Sequence, residues 1–192
     1  MPIPPIVLAS ASPRRRDLLC QIGIEPAAII PTDIDETPHQ RELPPRYALR
    51  MADEKARAIV LPDGINDGAV VLAGDTVVAV GRRILPKAET QDQARSCLAL
   101  LSGRRHRVYG GIALRLTDGT LRSRLVTSSV IFKRLHRDEI DAYIATGDWQ
   151  GKAGGYAIQG PAAAYIRYIE GSYSNIVGFS LHDVSALLAA SG

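Results

Sequence analysis

Apolar and polar positions recur regularly enough to divide this chain into elements. Ile6–Ala9 is a short apolar run that stops at Ser10, which predicts a buried strand. Ser12-Pro13 then opens a helical pattern carried by Leu18, Leu19 and Ile22 and closed by Gly23. Serine at the cap, proline at the first helical position and glycine past the last turn follow the expected order. A second extended piece is expected over 27–30, followed over 31–45 by an acidic, proline-bounded loop with Asp33, Asp35 and Glu36. Leu49, Ala52, Ala56 and Ile59 share one face of a helix predicted over 47–60.

Residues 69–73 and 76–80 are β-rich and apolar at both parities, as in a strand buried on both faces, and Gly74-Asp75 is expected to interrupt it. Thr90 suits the cap of a helix whose Ala94, Cys97, Leu98 and Leu101 face inward, ending at Ser102-Gly103. Two long strands are predicted over 107–116 and 121–135, joined by the hairpin signal Asp118-Gly119. A short helix over 138–146 turns Ile140, Tyr143 and Ile144 inward. From Gly147 to Gly160 there are five glycines in fourteen residues, which suits backbone that must approach a ligand closely. A strand is expected over 163–169, and Ser180 with Asp183 caps a last helix along Val184, Leu187 and Leu188. Strands and helices alternate at both ends around the central hairpin. The expected class is therefore α/β with a mixed, extended sheet rather than a doubly wound nucleotide fold.

Length and composition narrow the picture. At 192 residues one domain spanning 1–192 is expected, and 46% hydrophobic with 22% charged residues is ordinary globular usage. The longest apolar stretch, 69–80, is too short for a membrane span. Met1–Pro5 holds three prolines ahead of a four-residue apolar run, which is not a signal-peptide pattern. Cys20 and Cys97 lie far apart, as in a reducing compartment, so a cytoplasmic protein is expected with both cysteines as core fillers. A net charge of +3 with two Phe and one Trp does not make a nucleic-acid surface.

Four places carry candidate chemistry. Ser10-Ala11-Ser12-Pro13-Arg14-Arg15 combines two hydroxyls, free N–H groups at a helix start and two guanidinium forks, a receptor suited to phosphate; the alternative is a surface helix start. The Arg82-Arg83 and Arg104-Arg105 pairs read as solvated rim. Asp75 is a carboxylate inside an apolar strand, which is costly unless it is paired, hydrogen-bonded or metal-bound. Facing a cleft, it suits a general base or metal ligand; the alternative is a structural Asp at a bulge marked by Gly74. Lys55, Lys87 and Lys152 could neutralise a polyphosphate, each being a weak signal alone.

The stretch 151–160 has P-loop character at first sight. Only three residues separate Gly147 from Gly151, however, and Ala153 stands where the magnesium-binding Ser or Thr belongs. Gln159, near Tyr156, offers a donor and an acceptor that suit a nucleobase edge, and Trp149 suits either base stacking or capping a helix end. His39, His106, His136 and His182 have no zinc spacing, and there is no G-x-S-x-G elbow.

Taken in order, Leu8-Ala9-Ser10-Ala11-Ser12-Pro13-Arg14-Arg15, Asp35-Glu36-Thr37, Glu54-Lys55-Ala56, Gly74-Asp75-Thr76, Lys87, Leu101-Ser102-Gly103 with His106 and Val108, and Lys152-Ala153-Gly154 resemble the Maf family of nucleoside triphosphate pyrophosphatases over nearly the whole chain. The resemblance implies Asp75 as catalytic base, Arg14, Arg15, Lys55 and Lys87 on the phosphates, and Glu36 with Asp75 as ligands of a divalent cation, Mg²⁺ or Mn²⁺. With Ser10, Ser12 and Lys152 from the residue reading, these make up most of the expected substrate site. Ala157-Ile158-Gln159-Gly160 resembles the branch acting on dTTP and UTP, with Arg14, Thr76 and Gln159 as specificity positions. CTP and modified pyrimidine nucleotides are further candidates.

The implied reaction releases the monophosphate and pyrophosphate; the alternative function is a non-catalytic regulator of cell division. The implied fold is an elongated mixed sheet with a deep cleft between two lobes, often as a homodimer. The expected partner is a nucleoside triphosphate, with no nucleic acid and no membrane. Two departures stand out: Gly151 where many members have Asp, and Gly110 where Thr usually follows His-x-Val-Tyr, which removes a hydroxyl near the cleft.

Overall fold

A strand that is apolar at both parities must be covered on both faces, and β3 (Val70–Val80) is buried along most of its length. The structure, a computed structural model, describes residues 4–61, 64–65 and 68–190, so the reading of Met1–Pro5 falls, for positions 1–3, outside the described residues. Among the described residues the sheet has seven strands. Six run in the order β2 (Ala28–Ile29), β1 (Ile6–Ala9), β3, β5 (Arg105–Arg115), β6 (Leu121–Phe132) and β7 (Ile166–Glu170), while β4 (Arg83–Leu85) pairs only with β3. β1 is parallel to β2 and β3, and the other pairings are antiparallel. This is the mixed α/β sheet expected from the alternation of elements.

One edge of β3 is shared between two neighbours. β1 pairs with residues 70–73 and β4 with residues 78–80, so among the described residues 74–77 have a strand partner only on the β5 side. The polar residues of β3 fall in that gap. The interruption expected at Gly74-Asp75 does not occur, because the β3–β5 ladder runs from Val71 to Ala79 with Asp75 opposite Gly111. Gly74 instead serves close approach: an added Cβ would lie 2.3 Å from Phe179 Cε1 and 3.1 Å from the Gly111 carbonyl oxygen.

Helix α2 (Pro44–Ala58) covers the face of the sheet that carries Val71, Ala73, Val77 and Ala79. It starts three residues before the sequence pattern does, because Pro44-Pro45 fill the first turn, where a missing N–H costs nothing. Ala48, Met51, Ala52, Lys55 and Ala56 are buried, whereas Leu49, expected inward, is only half-buried. Gly111 lets the helix in, since a Cβ there would lie 2.0 Å from the Ala48 carbonyl oxygen.

The other face packs against α1 (Pro13–Gln21), α3 (Gln91–Leu101), α4 (Arg137–Ala145), α5 (Tyr173–Val177) and α6 (Leu181–Ala189). Its core forms two clusters, one joining β1, α1 and α6 to the start of β3 and one joining α3 and α4 to its end, which gives the two lobes. The box of Thr90 and Gln93 caps α3, and the Asp183 N–H caps onto Ser180 at α6, as the sequence predicts. The hairpin through Gly81-Arg82 into β4 and the short α5 were not expected. Residues 163–165 belong to a 3₁₀ turn, Pro161–Tyr165, rather than to β7, because Pro161 starts a helical turn. Cys97 is buried, but Cys20 is exposed and donates to Glu25 Oε2 at 3.0 Å, so it is not a core filler. Among the described residues no helix is long and apolar enough to cross a membrane.

Gly111→Ala drives a methyl group into the α2 backbone, which cannot swing aside as a side-chain tip can. The expected loss of unfolding free energy is roughly 1–3 kcal/mol, read from denaturant midpoints. An unchanged midpoint would show that the helix lifts without cost.

Candidate active site

Side chains alternate along a strand, so Asp75 points to the α2 face at the open edge and Thr76 to the opposite face. Ala48, Ala52 and Lys55 lie on one stripe of α2. The contact that seats the helix on Gly111, directly across from Asp75, therefore also aims Lys55 at that acid. Lys55 Nζ lies 2.8 Å from Asp75 Oδ1 and 2.7 Å from Glu36 Oε1. Glu36 comes from the loop before α2, and its other oxygen meets Lys87 Nζ at 2.5 Å. Asp75, Lys55, Glu36 and Lys87 thus form a chain of alternating charge. Tyr47 fastens the loop by donating its hydroxyl to the Glu36 carbonyl oxygen at 2.6 Å. Burial alone would raise the Glu36 carboxyl, but hydrogen bonds from Lys55 and Lys87 hold it down to about 2.

The turn from β1 into α1 supplies the second wall. Ser10 Oγ accepts the Ser12 backbone N–H at 3.1 Å and Arg15 Nη1 at 3.0 Å. Ser12, placed at the helix cap, makes no side-chain cap bond. Arg15 is buried and also donates to the Gly178 carbonyl at 3.1 Å and to Thr76 Oγ1 at 3.1 Å, with its guanidinium over the Phe179 ring. It works as a clamp between α1, β3 and the α5–α6 turn. Burial pushes the Arg15 guanidinium below its ordinary range against the pull of Asp75, and it does the same to Arg14 against the pull of Asp148.

These walls enclose a cavity of 560 Å³, a size that takes a nucleotide. Every residue singled out from the sequence as a site residue lines it: Ser10, Ser12, Arg14 and Arg15 from the β1–α1 turn, Glu36 and Lys55, Asp75 and Thr76 from β3, Lys87, and Lys152 with Gln159 from the glycine-rich stretch. Asp75 is only 4% exposed, yet it faces this cavity. Lys152 donates to the Gln150 carbonyl oxygen at 3.0 Å, and burial, aided by Arg14, lowers its ammonium below the usual range. Gln159 is exposed at the rim.

Other sequence readings have different outcomes. Trp149 is buried and donates Nε1–H to the Ile144 carbonyl at 2.9 Å, so it caps the end of α4. Tyr156 turns its hydroxyl toward the core, 2.7 Å from His106 Nε2. Arg82, Arg83, Arg104 and Arg105 are exposed and lie outside the cavity. The sequence reading missed Asp148, a carboxylate on the cavity wall just after Gly147. Its signal in the sequence is an acid at the head of the glycine-rich stretch, next to Gly147.

Residues 5–191 match the family described as Maf-like protein. The chain belongs to the Maf family. The dTTP/UTP pyrophosphatase of Paramagnetospirillum magneticum is 60% identical over 187 residues, covering 97% of each chain. That of Rhodospirillum rubrum is 59% identical over 188 residues, covering 98% of this chain and 88% of the relative. Among solved structures, a HAM1 protein from Coxiella burnetii shares the fold, with a TM-score of 0.52 at 16% identity over 96% of this chain and 98% of that one.

Of the two departures from the Maf pattern, Gly110 does not take a hydroxyl from the cleft. It is buried, and Asn175 occupies the space of a side chain there, its Oδ1 lying 1.9 Å from where a Cβ would be. Gly151 lines the cavity with a φ of 64°, a conformation that a glycine adopts without strain.

The Glu36 latch carries a pH dependence with a definite sign. Its folded carboxyl lies below the ordinary value of 4.5, at about 2, so its contribution to stability is complete above pH 4.5 and is lost as pH falls toward 2. Melting curves of the parent and Glu36→Gln should be separated at about pH 7 and draw together as pH falls from 4.5 through about 2. A constant separation across that range would sink this account.

Proposed function

We propose that this Maf-family chain hydrolyses dTTP and UTP to the nucleoside monophosphate and pyrophosphate. One observation carries the reading: Asp75 is held by Lys55 at the open edge of β3, inside a cavity whose wall also presents Arg14, Arg15, Lys87 and Lys152. The cations suit a polyphosphate, but an acid among them repels one, so its use is to take a proton from water. The names of relatives about 60% identical over nearly the full length support the same activity. The substrate is then a nucleoside triphosphate; a cytoplasmic compartment and a homodimeric assembly belong to the same proposal through the resemblance to the family, not through the site.

In the reaction the oxygen of a water molecule forms a bond to the α-phosphorus while the bond from that phosphorus to the bridging oxygen of the β-phosphate breaks. Asp75 takes the proton, and pyrophosphate leaves with the bonding electrons. Lys55 and Lys87 stabilise the charge that grows on the leaving group, together with Arg14 and the two N–H groups of Arg15 left over from its three protein hydrogen bonds. Glu36 and Asp75 are the residues that would hold Mg²⁺ or Mn²⁺. They fit a hard cation, because their oxygens already converge on one positive centre, Lys55 Nζ, at 2.7 and 2.8 Å. Among the described residues no cluster of three metal-ligating side chains exists, so the other positions would fall to phosphate and water. Bound there, the ion supplies charge neutralisation of the phosphates.

Asp75→Asn should lower dTTP turnover roughly 10²–10⁴-fold while monophosphate binding persists, with pyrophosphate release and calorimetry as the readouts. Equal turnover would refute the role of Asp75. A parent protein that releases pyrophosphate from no nucleoside triphosphate would favour the non-catalytic regulator of cell division.

A further inference from the structure

The cavity holds a third acid that the reaction does not use. Asp148 follows the end of α4, and its only hydrogen-bond donor to the side chain among the described residues is the Tyr143 hydroxyl, 3.3 Å from Oδ2. No lysine or arginine among the described residues forms an ion pair with it, whereas Asp75 and Glu36 are both bound by lysine. Tyr143 is almost fully buried, and its oxygen also accepts the Ala157 N–H at 3.2 Å. One rigid side chain therefore orients Asp148 and ties it to the segment that carries Gln159. The carboxylate lies against that segment, since a Cβ on Gly160 would be 2.2 Å from Asp148 Oδ2.

The charges in the cavity divide into two groups. Asp75 and Glu36 interact with Arg15, Lys55 and Lys87, while Asp148 interacts with Arg14 and Lys152. A carboxylate with most of its acceptor capacity unspent faces a part of the ligand that donates, and phosphate does not. Uracil and thymine present an edge that reads acceptor, donor, acceptor: O2, N3–H, O4. Its complement is donor, acceptor, donor. The Gln159 amide, the Asp148 carboxylate and a cation from Arg14 or Lys152 all line the cavity and offer those three kinds of group, with Asp148 against Gly160, the neighbour of Gln159, and in electrostatic reach of both cations. Cytosine, with an unprotonated N3, does not fit it.

We propose that Asp148 is a specificity-determining residue that accepts the N3–H of uracil and thymine, which makes the site select these bases against cytosine. This rests on the nucleotide-hydrolysing reading above. Asp148→Asn is isosteric, and with Tyr143 donating to its carbonyl oxygen the amide turns its NH₂ group to the ligand, so the sense of the hydrogen bond reverses.

The test compares kcat/KM for UTP, dTTP, CTP and 3′-deoxy-UTP in the parent and Asp148→Asn, with calorimetric binding of UMP and CMP as a readout that does not depend on turnover. The UTP-to-CTP preference should fall by about tenfold or more, through loss on UTP and dTTP with CTP held or improved. An unchanged preference overturns the proposal, including the case where all substrates lose equally, which is what a mere counter-ion for Arg14 would produce. A change confined to the ratio of UTP to 3′-deoxy-UTP also overturns it, because the acceptor then serves a sugar hydroxyl. A parent inactive on every triphosphate would fail the function reading itself and leave the UMP and CMP binding arm to decide the role of Asp148.

Discussion

The ion pair between Lys55 and Asp75 is the constraint around which the site is built. Neither charge is affordable alone at about 5% exposure, and removing one partner of such a pair costs about 3–5 kcal/mol because the other is left uncompensated. The pair therefore ties two otherwise independent choices together. An acid at mid-strand requires a lysine on the helix above, and the lysine reaches it only if that helix lies very close to the sheet. Gly111 provides the approach at the residue directly opposite Asp75. Packing and chemistry are set by the same contact.

The gap in the sheet explains why this acid reaches the cavity at all. If β1 continued past Ala9, or β4 reached further back along β3, a strand would close the edge at residues 74–77. β1 instead turns away at Ser10, and the hydroxyl of Ser10 then does two jobs, holding the start of α1 and one arm of Arg15. Arg15 in turn spends three N–H groups on the framework. The guanidinium is thus pre-oriented, and little rotamer entropy is left to lose when an anion binds.

Much of this was legible in the sequence because strong local signals agree with the tertiary outcome. Apolar runs marked β1, β3 and the long hairpin, and Thr90 and Ser180 marked helix starts. The misreadings share a cause: each residue's role depends on a partner distant in sequence. Gly74 looked like a break, but it answers to Phe179. Gly110 looked like a lost hydroxyl, but it answers to Asn175. Asp148 carried only a weak local mark, its place beside Gly147, and the fold alone shows it lying against Gly160 with Tyr143 behind it. Cys20 was assigned by residue type alone, and type does not tell which side of a nine-residue helix faces water.

The glycine-rich stretch, finally, is not the loose segment its composition suggests. Gly147, Gly151, Gly154 and Gly155 all adopt positive φ, so their conformational freedom is spent on one path rather than kept. That path is pinned to the segment after β4 by backbone bonds that join Gly151 to Ala88, Ala88 to Lys152 and Gly154 to Pro86. Two tyrosines hold it from the core side, Tyr156 through His106 and Tyr143 through the Ala157 N–H. Burial lowers the His106 pKa to about 4, so at neutral pH the imidazole is uncharged and its bond to Tyr156 does not change with small shifts in acidity. Lys152, Gln159 and Asp148 are therefore carried on a fixed platform, and binding need not order the backbone beneath them, which is where a flexible loop would lose affinity.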